Sequence, residues 1–131
     1  PARSRVRLEP FRSDVEVVWE AADVVLVPST EPESFGRVAI EAMAFGRPVI
    51  ASAHGGVLDI IVEGDTGLLV PPGDAEALAL AMAKLAGDAS LRKRMGQSAE
   101  VRQRECFSVE AYALAVRSVL LEAAQFGSNG E

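Results

Sequence analysis

Three short apolar runs without polar alternation constrain the fold of this chain more than any other feature. They occupy residues 24–27, 49–51 and 68–70, and turn-forming residues follow each of them. A strand that is apolar on both faces is typical of a parallel sheet covered by helices on both sides. Helical patterns separate the three runs, and connections of that kind are right-handed crossovers. The sequence therefore predicts an α/β fold built on part of a doubly wound, Rossmann-like parallel sheet.

The helical patterns and their capping residues predict the remaining elements. Predicted helices cover residues 15–22, about 35–45 and 57–62, and three longer helices begin after the caps Asp74, Ser90 and Ser108. Asp and Ser are favoured at the residue before a helix, because their side chains accept hydrogen bonds from its first amides. The C-terminal region is therefore predicted to be helical to about residue 125, with a frayed tail at residues 126–131.

A fourth strand is predicted near the N-terminus, where Val6, Leu8 and Phe11 form a β-like run. With it the sheet has three to four strands, about half of a complete doubly wound domain. The single predicted domain covers residues 1–125. Because the chain starts at Pro1 without Met and reaches its first strand at once, we interpret it as a fragment. An incomplete sheet exposes an edge and an apolar face, so a homodimer or swapped assembly is expected.

Composition excludes several classes of function. The chain has 131 residues, 49% of them hydrophobic, which is enough for one core. Its net charge is −6 and its basic residues are not interleaved with aromatic ones, so nucleic acid is not an expected partner. The single cysteine, Cys106, excludes a disulfide framework and fits the reducing cytoplasm. No apolar run reaches the length of a membrane span, although peripheral attachment of a parent protein stays open.

The run ESFGRVAIE at residues 33–41 carries the strongest functional signal, because Glu33 and Glu41 stand eight positions apart in it. It follows the first buried strand, and ligands bind at the carboxyl edge of such sheets. The predicted helix places Glu41 two turns up, and eight helical residues rise roughly 12 Å. Carboxylates accept hydrogen bonds from sugar hydroxyls, while amides at a helix start favour an anion such as phosphate. The pattern fits a nucleotide sugar, with hydroxyls at both ends and negative charge between them.

Five motifs stand in order between residues 22 and 74. They are ADVVLVPS, the Glu-x7-Glu run with Phe35-Gly36 inside it, EAMAFGRPVIA, the pair Gly55-Gly56, and TGLLVPPGD. Together they resemble the retaining GT-B glycosyltransferases, the group 1 family that includes glycogen-synthase-like and mannosyltransferase-like enzymes. The resemblance concerns the donor-binding half of the C-terminal domain of those enzymes, and it covers most of the chain.

The resemblance implies a set of substrate-binding residues. That set is Glu33, Ser34, Phe35, Gly36, Arg37, Val38 and Glu41, with Arg12, His54, Gly55 and Gly56 as further candidates. By this resemblance Glu33 would contact hydroxyls of the donor sugar, and Glu41 would hold the ribose hydroxyls. The amides between them would meet the sugar and the diphosphate. No catalytic residue is assigned. Arg37 reaches a phosphate or points to solvent, and His54 contacts the donor or has no role.

The resemblance also implies a reaction and the parts that this chain lacks. The reaction is transfer of a sugar from a nucleotide-diphosphate donor to an acceptor, with retention at the anomeric carbon and without a metal or other cofactor. The Arg and Lys that clamp the diphosphate in this family, and the N-terminal acceptor domain, are not in the chain, so the isolated chain is expected to be inactive. Two alternatives stay open, a GT-B-like sugar-nucleotide epimerase and a non-catalytic nucleotide-binding or assembly module.

Overall fold

The three apolar runs form one parallel sheet in the computed structural model, which describes residues 5–128 and the side chains up to residue 125. The strands are β1 (Val25–Val27), β2 (Val49–Ser52) and β3 (Gly67–Val70), and they lie in the spatial order β1-β2-β3. Val25 lies opposite Val49, and Val49 lies opposite Gly67. The predicted α/β class and the parallel sheet are confirmed.

Helices cover both faces of this sheet and form the C-terminal region. They are α1 (Val15–Ala21), α2 (Arg37–Ala44), α3 (Val57–Ile60), α4 (Ala75–Gly87), α5 (Ala89–Arg102) and α6 (Val109–Ser128). A five-residue π-helix, Gln103–Phe107, joins α5 to α6. Helix α6 continues past the predicted end at residue 125, and the part of the predicted tail at residues 129–131 lies outside the described residues.

Two of the three predicted caps of the long helices are confirmed. The Asp74 carboxylate accepts a hydrogen bond of 2.8 Å from the amide of Ala77, and the Ser108 hydroxyl accepts one from the amide of Ala111. The prediction for Ser90 was wrong, because Asp88 caps α5 and Ser90 lies inside the helix. Asp and Ser are comparable caps, and starting the helix at the earlier of the two adds helical hydrogen bonds.

The prediction of a strand at residues 6–11 was wrong. Val6, Leu8 and Phe11 are 66%, 91% and 96% exposed, and no strand is assigned to them. With β1 as strand 4 of the usual doubly wound order 3-2-1-4-5-6, the strand before it in the chain is strand 3. Strand 3 lies at the edge of the sheet, and strands 2 and 1 lie between it and strand 4. The described residues contain no such strands, so the segment has no neighbour with which to exchange backbone hydrogen bonds.

The core lies on both faces of β2, whose four residues are all buried. Successive side chains of a strand point to opposite faces, so Val49 and Ala51 face α2 while Ile50 faces the opposite layer. Met43 packs in the first cluster, and Leu85 of α4 packs in the second. This double cover leaves the carboxyl ends of β1 and β2 open to the loops that carry the Glu33–Glu41 run.

Candidate functional site

The loop after β1 and the loop after β2 lie directly against each other at the carboxyl edge of the sheet. The amide of Gly56 donates a hydrogen bond of 2.7 Å to the carbonyl of Glu33. Gly55 has φ 64°, and a Cβ there would meet the carbonyl oxygen of Glu33 and, at 2.8 Å, its amide nitrogen. A residue without a Cβ is therefore required at this contact. The structure brings the candidates Gly55 and Gly56 to the backbone of Glu33.

The Glu33 side chain is half-buried and has a specific partner. The Ser29 hydroxyl donates a hydrogen bond of 2.6 Å to Glu33 Oε1. His54 Nε2 lies 2.8 Å from the carbonyl oxygen of Ser29, and it must carry the proton because a carbonyl only accepts. His54 therefore fixes the backbone of Ser29, whose side chain in turn binds Glu33. Sequence reasoning missed Ser29, although a polar residue two positions past the end of a buried strand lies at the edge where ligands bind.

The start of α2 presents a row of backbone amides. Gly36 is its N-cap, with φ 73°, and a Cβ there would lie 2.8 Å from Ile60 Cδ1. Within residues 5–128, the amides of residues 35–38 donate to no acceptor, as expected for the first amides of a helix. Their dipoles and that of the helix favour an anion. Among the predicted site residues here, Ser34, Phe35 and Val38 are exposed.

Glu41 lies closer to the helix start than predicted. Because α2 begins at Arg37 and not near residue 35, Glu41 stands only about one turn into the helix. Glu33 precedes the helix as predicted, but the predicted position of Glu41 two turns up the helix was wrong. Arg37 Nε donates to Glu41 Oε1 at 2.8 Å, and the Arg37 side chain is 82% exposed. The guanidinium therefore contacts the second carboxylate of the run, and it also reaches solvent.

Glu41 also lines an open groove of about 430 Å³ between α1 and α2. Ser13, Glu16 and Trp19 line it from the α1 side, and Gln103 of the π-helix lines it as well. Sequence reasoning gave none of these four a role in a site. Trp19 could have pointed to the groove, since it is a large side chain on α1, beside the sheet. Gln103 had no local signal, because its position depends on how the π-helix packs against α2.

Arg12 lies on the surface before α1, away from the contacts of the 33–41 run. Its guanidinium donates to both carboxylate oxygens of Asp14, at 3.0 and 2.8 Å. This hydrogen bonding holds the pKa of Asp14 below its ordinary value and raises the pKa of Arg12. Asp14 therefore makes no side-chain cap to α1. Its neighbour Ser13, and not Arg12, is among the residues that line the groove.

Between residues 5 and 128, no three His, Cys, Asp or Glu side chains are grouped so that they could hold a metal ion. None of the helices in the same part of the chain is both long and apolar enough to cross a membrane.

Comparison with known families supports the resemblance noted in the sequence. The model of the family described as glycosyl transferases group 1 matches residues 2–102. The chain belongs to this family. The match includes β1, β2, β3 and the whole Glu33–Glu41 run, so the family assignment rests on the segment that builds the candidate site.

Relatives within the group 1 family cover most of this chain but are much longer. A D-inositol 3-phosphate glycosyltransferase of Corynebacterium glutamicum is 45% identical over 111 residues, which is 85% of this chain and 26% of the relative. The enzyme of the same name from Streptomyces avermitilis is 42% identical over 107 residues, 82% of this chain and 23% of the relative. The chain thus spans about a quarter of the length of these curated relatives.

Solved structures share the fold of this chain. HepE from Anabaena in complex with UDP superposes with a TM-score of 0.87 and 31% identity, covering 92% of this chain and 33% of HepE. The same protein has also been solved with UDP-glucose, and that complex gives a TM-score of 0.83. Sucrose-phosphate synthase from Thermosynechococcus elongatus gives a TM-score of 0.75 with 42% identity, covering 87% of this chain and 28% of the synthase.

Proposed function

We propose that this chain is the donor-binding part of a retaining glycosyltransferase that transfers a sugar from a nucleotide-diphosphate donor to an acceptor. The observation that carries the proposal is the fixed Glu33 carboxylate beside the unpaired amides at the start of α2. Together they offer an acceptor for sugar hydroxyls and donors for an anion at the carboxyl edge of the sheet. HepE, which shares this fold, has been solved with UDP and with UDP-glucose, and this similarity supports a nucleotide sugar as the ligand.

Each end of the run has a separate role in this proposal. Glu33 accepts a hydrogen bond from a hydroxyl of the donor sugar, and the amides of residues 35–38 donate to the diphosphate. Glu41 accepts from the ribose hydroxyls. Since Arg37 pairs with Glu41 Oε1 and is largely exposed, its guanidinium can turn toward the diphosphate at little cost. The base then lies toward the groove between α1 and α2.

The chain's contribution to the reaction is positioning of the donor and stabilisation of charge on the leaving diphosphate. Helix α2 supplies that stabilisation through its amides, and no step assigned to these residues uses a metal ion. The acceptor is bound elsewhere in the longer enzyme, which we place in the cytoplasm. The isolated chain is accordingly expected to bind the donor weakly and to show no transfer.

Thermal unfolding with a panel of UDP-, GDP- and ADP-sugars tests the proposal. A ligand present at ten times its Kd stabilises a protein by about 1.4 kcal/mol, so one donor class should raise the Tm by several degrees. Glu41→Gln should remove most of this rise, because the amide replaces an acceptor oxygen by a donor. Glu76→Gln is the matched control, since Glu76 is an exposed residue in the first turn of α4.

A Tm rise that Glu41→Gln leaves intact would remove the ribose role from Glu41. Absence of any rise with all three donor classes, at millimolar concentrations, would contradict donor binding by this chain and favour a non-catalytic assembly module.

A further inference from the structure

We propose that Ser29 is a positioning residue that fixes the Glu33 carboxylate for its contact with the donor sugar. The inference rests on the proposed function and adds a residue that the Glu33–Glu41 run does not contain. Ser29 lies two residues after the end of β1 and four positions before Glu33, and both side chains are half-buried.

The contact between the two side chains has the geometry of a charge-assisted hydrogen bond. The Ser29 Oγ to Glu33 Oε1 distance is 2.6 Å, within the range typical of a hydroxyl that donates to a carboxylate. Glu33 Oε2 accepts no hydrogen bond within the described part of the chain. One oxygen is therefore held by the protein, and the other stays available for a sugar hydroxyl. Without Ser29, the carboxylate would be free to rotate among its rotamers.

Further contacts hold the two residues themselves. The amide of Gly56 fixes the carbonyl of Glu33, and His54 Nε2 donates to the carbonyl of Ser29 at 2.8 Å. Both partners come from the loop after β2. Ser29 is thus supported at its backbone and donates with its side chain, which is the arrangement expected of a residue that orients another.

The location of Ser29 predicts which part of the donor it affects. Its hydroxyl acts on Glu33, whereas the diphosphate meets the backbone amides of α2, which Ser29 does not contact. Ser29→Ala should therefore weaken the binding of UDP-glucose roughly tenfold, the worth of one hydrogen bond to a charged group, and leave the affinity for UDP unchanged. Ser29→Thr keeps the hydroxyl and should restore binding. Thr30→Ala is the matched control, because Thr30 is the exposed neighbouring residue.

Two measurements on the purified chain test the proposal. NMR three-bond couplings of the Glu33 side chain report its rotamers without ligand, and titrations with UDP-glucose and UDP report the two affinities. We expect one dominant Glu33 rotamer in the wild type, in Ser29→Thr and in Thr30→Ala, and averaged couplings in Ser29→Ala.

A single unchanged Glu33 rotamer in Ser29→Ala would overturn the positioning role. Equal losses of UDP-glucose and UDP affinity would overturn it as well, because they would indicate damage to the whole loop. If the wild type binds neither ligand, UDP-glucose is excluded as the donor, the proposed function is decided by the GDP- and ADP-sugars of the panel, and the rotamer measurement decides whether Ser29 orients Glu33.

Discussion

Replacement of Gly55 by alanine should separate the two loops that form the site. The residue has φ 64°, where an L-residue is disfavoured, and its added Cβ would press on the backbone of Glu33. Gly64 is a natural control, because it has φ 78° and nothing within 4 Å of an added Cβ. The pair Gly55→Ala and Gly64→Ala therefore separates the cost of the backbone conformation from the cost of the close contact.

The two substitutions differ in expected magnitude. A left-handed conformation costs a non-glycine residue about 1–2 kcal/mol, partly offset by the lower entropy of the unfolded alanine chain. Gly64→Ala should therefore destabilise the chain by about 1 kcal/mol. At Gly55 the same cost is joined by the overlap at 2.8 Å with the Glu33 amide and by loss of the hydrogen bond from Gly56. A total of about 3 kcal/mol or more follows for Gly55→Ala.

Urea unfolding followed by far-ultraviolet circular dichroism measures both free energies of unfolding, and thermal melts should show a drop of roughly 10 °C for Gly55→Ala. Binding of UDP-glucose, measured well below the melting temperature, should be lost in this variant and kept in Gly64→Ala. Equal destabilisation by the two substitutions would refute the close packing of the glycine turn on Glu33, and with it the geometry of the site.

Three further predictions concern stability. Arg37→Ala should lower the free energy of unfolding by no more than about 0.5 kcal/mol in urea melts, because an exposed i,i+4 ion pair contributes little; a loss above 1.5 kcal/mol would show a structural role. Asp88→Ala should cost about 1 kcal/mol and Ser90→Ala almost nothing, since only Asp88 caps α5; reversed values would restore the sequence prediction. The pKa of Asp14 is lowered, so the stabilisation that its pairing with Arg12 provides is present at neutral pH and disappears as the pH falls through that pKa. Asp14→Asn should therefore reduce the dependence of the Tm on pH at acid pH. An unchanged pH profile of the Tm would contradict the pairing.

The parts of the fold that sequence predicted well are those specified by local pattern. The apolar run at residues 24–27 lacks polar alternation, and β1 begins within one residue of its predicted start. The segment at residues 6–11 also has a β-like local pattern, yet a strand requires a neighbour, and its neighbour in this topology is not among the described residues. Local pattern also failed to specify the start of α5. Asp88 and Ser90 are both good caps, and which of them caps the helix depends on the hydrogen bonds of the whole helix.

The candidate site divides in the same way. The Glu33–Glu41 run was recognised because its residues are close in sequence and lie at a strand end. The contacts of Ser29 with Glu33 and of His54 with Ser29 depend on two loops meeting, which no local pattern specifies. Gln103 reaches the groove only through the packing of the π-helix, so its position could be known only from the structure.

A titration of the ¹⁵N-labelled chain with UDP-glucose, followed by amide chemical shifts, tests the central claim most directly. The account predicts that the largest changes occur at the amides of residues 35–38, with smaller ones in the loops that contain Ser29 and Gly56. Saturating changes confined to another cavity, such as the one of about 460 Å³ lined by Arg94 and Cys106, would contradict it. The same titration with UDP is the control. Spectra that do not change at millimolar UDP-glucose would contradict binding of this donor at the start of α2.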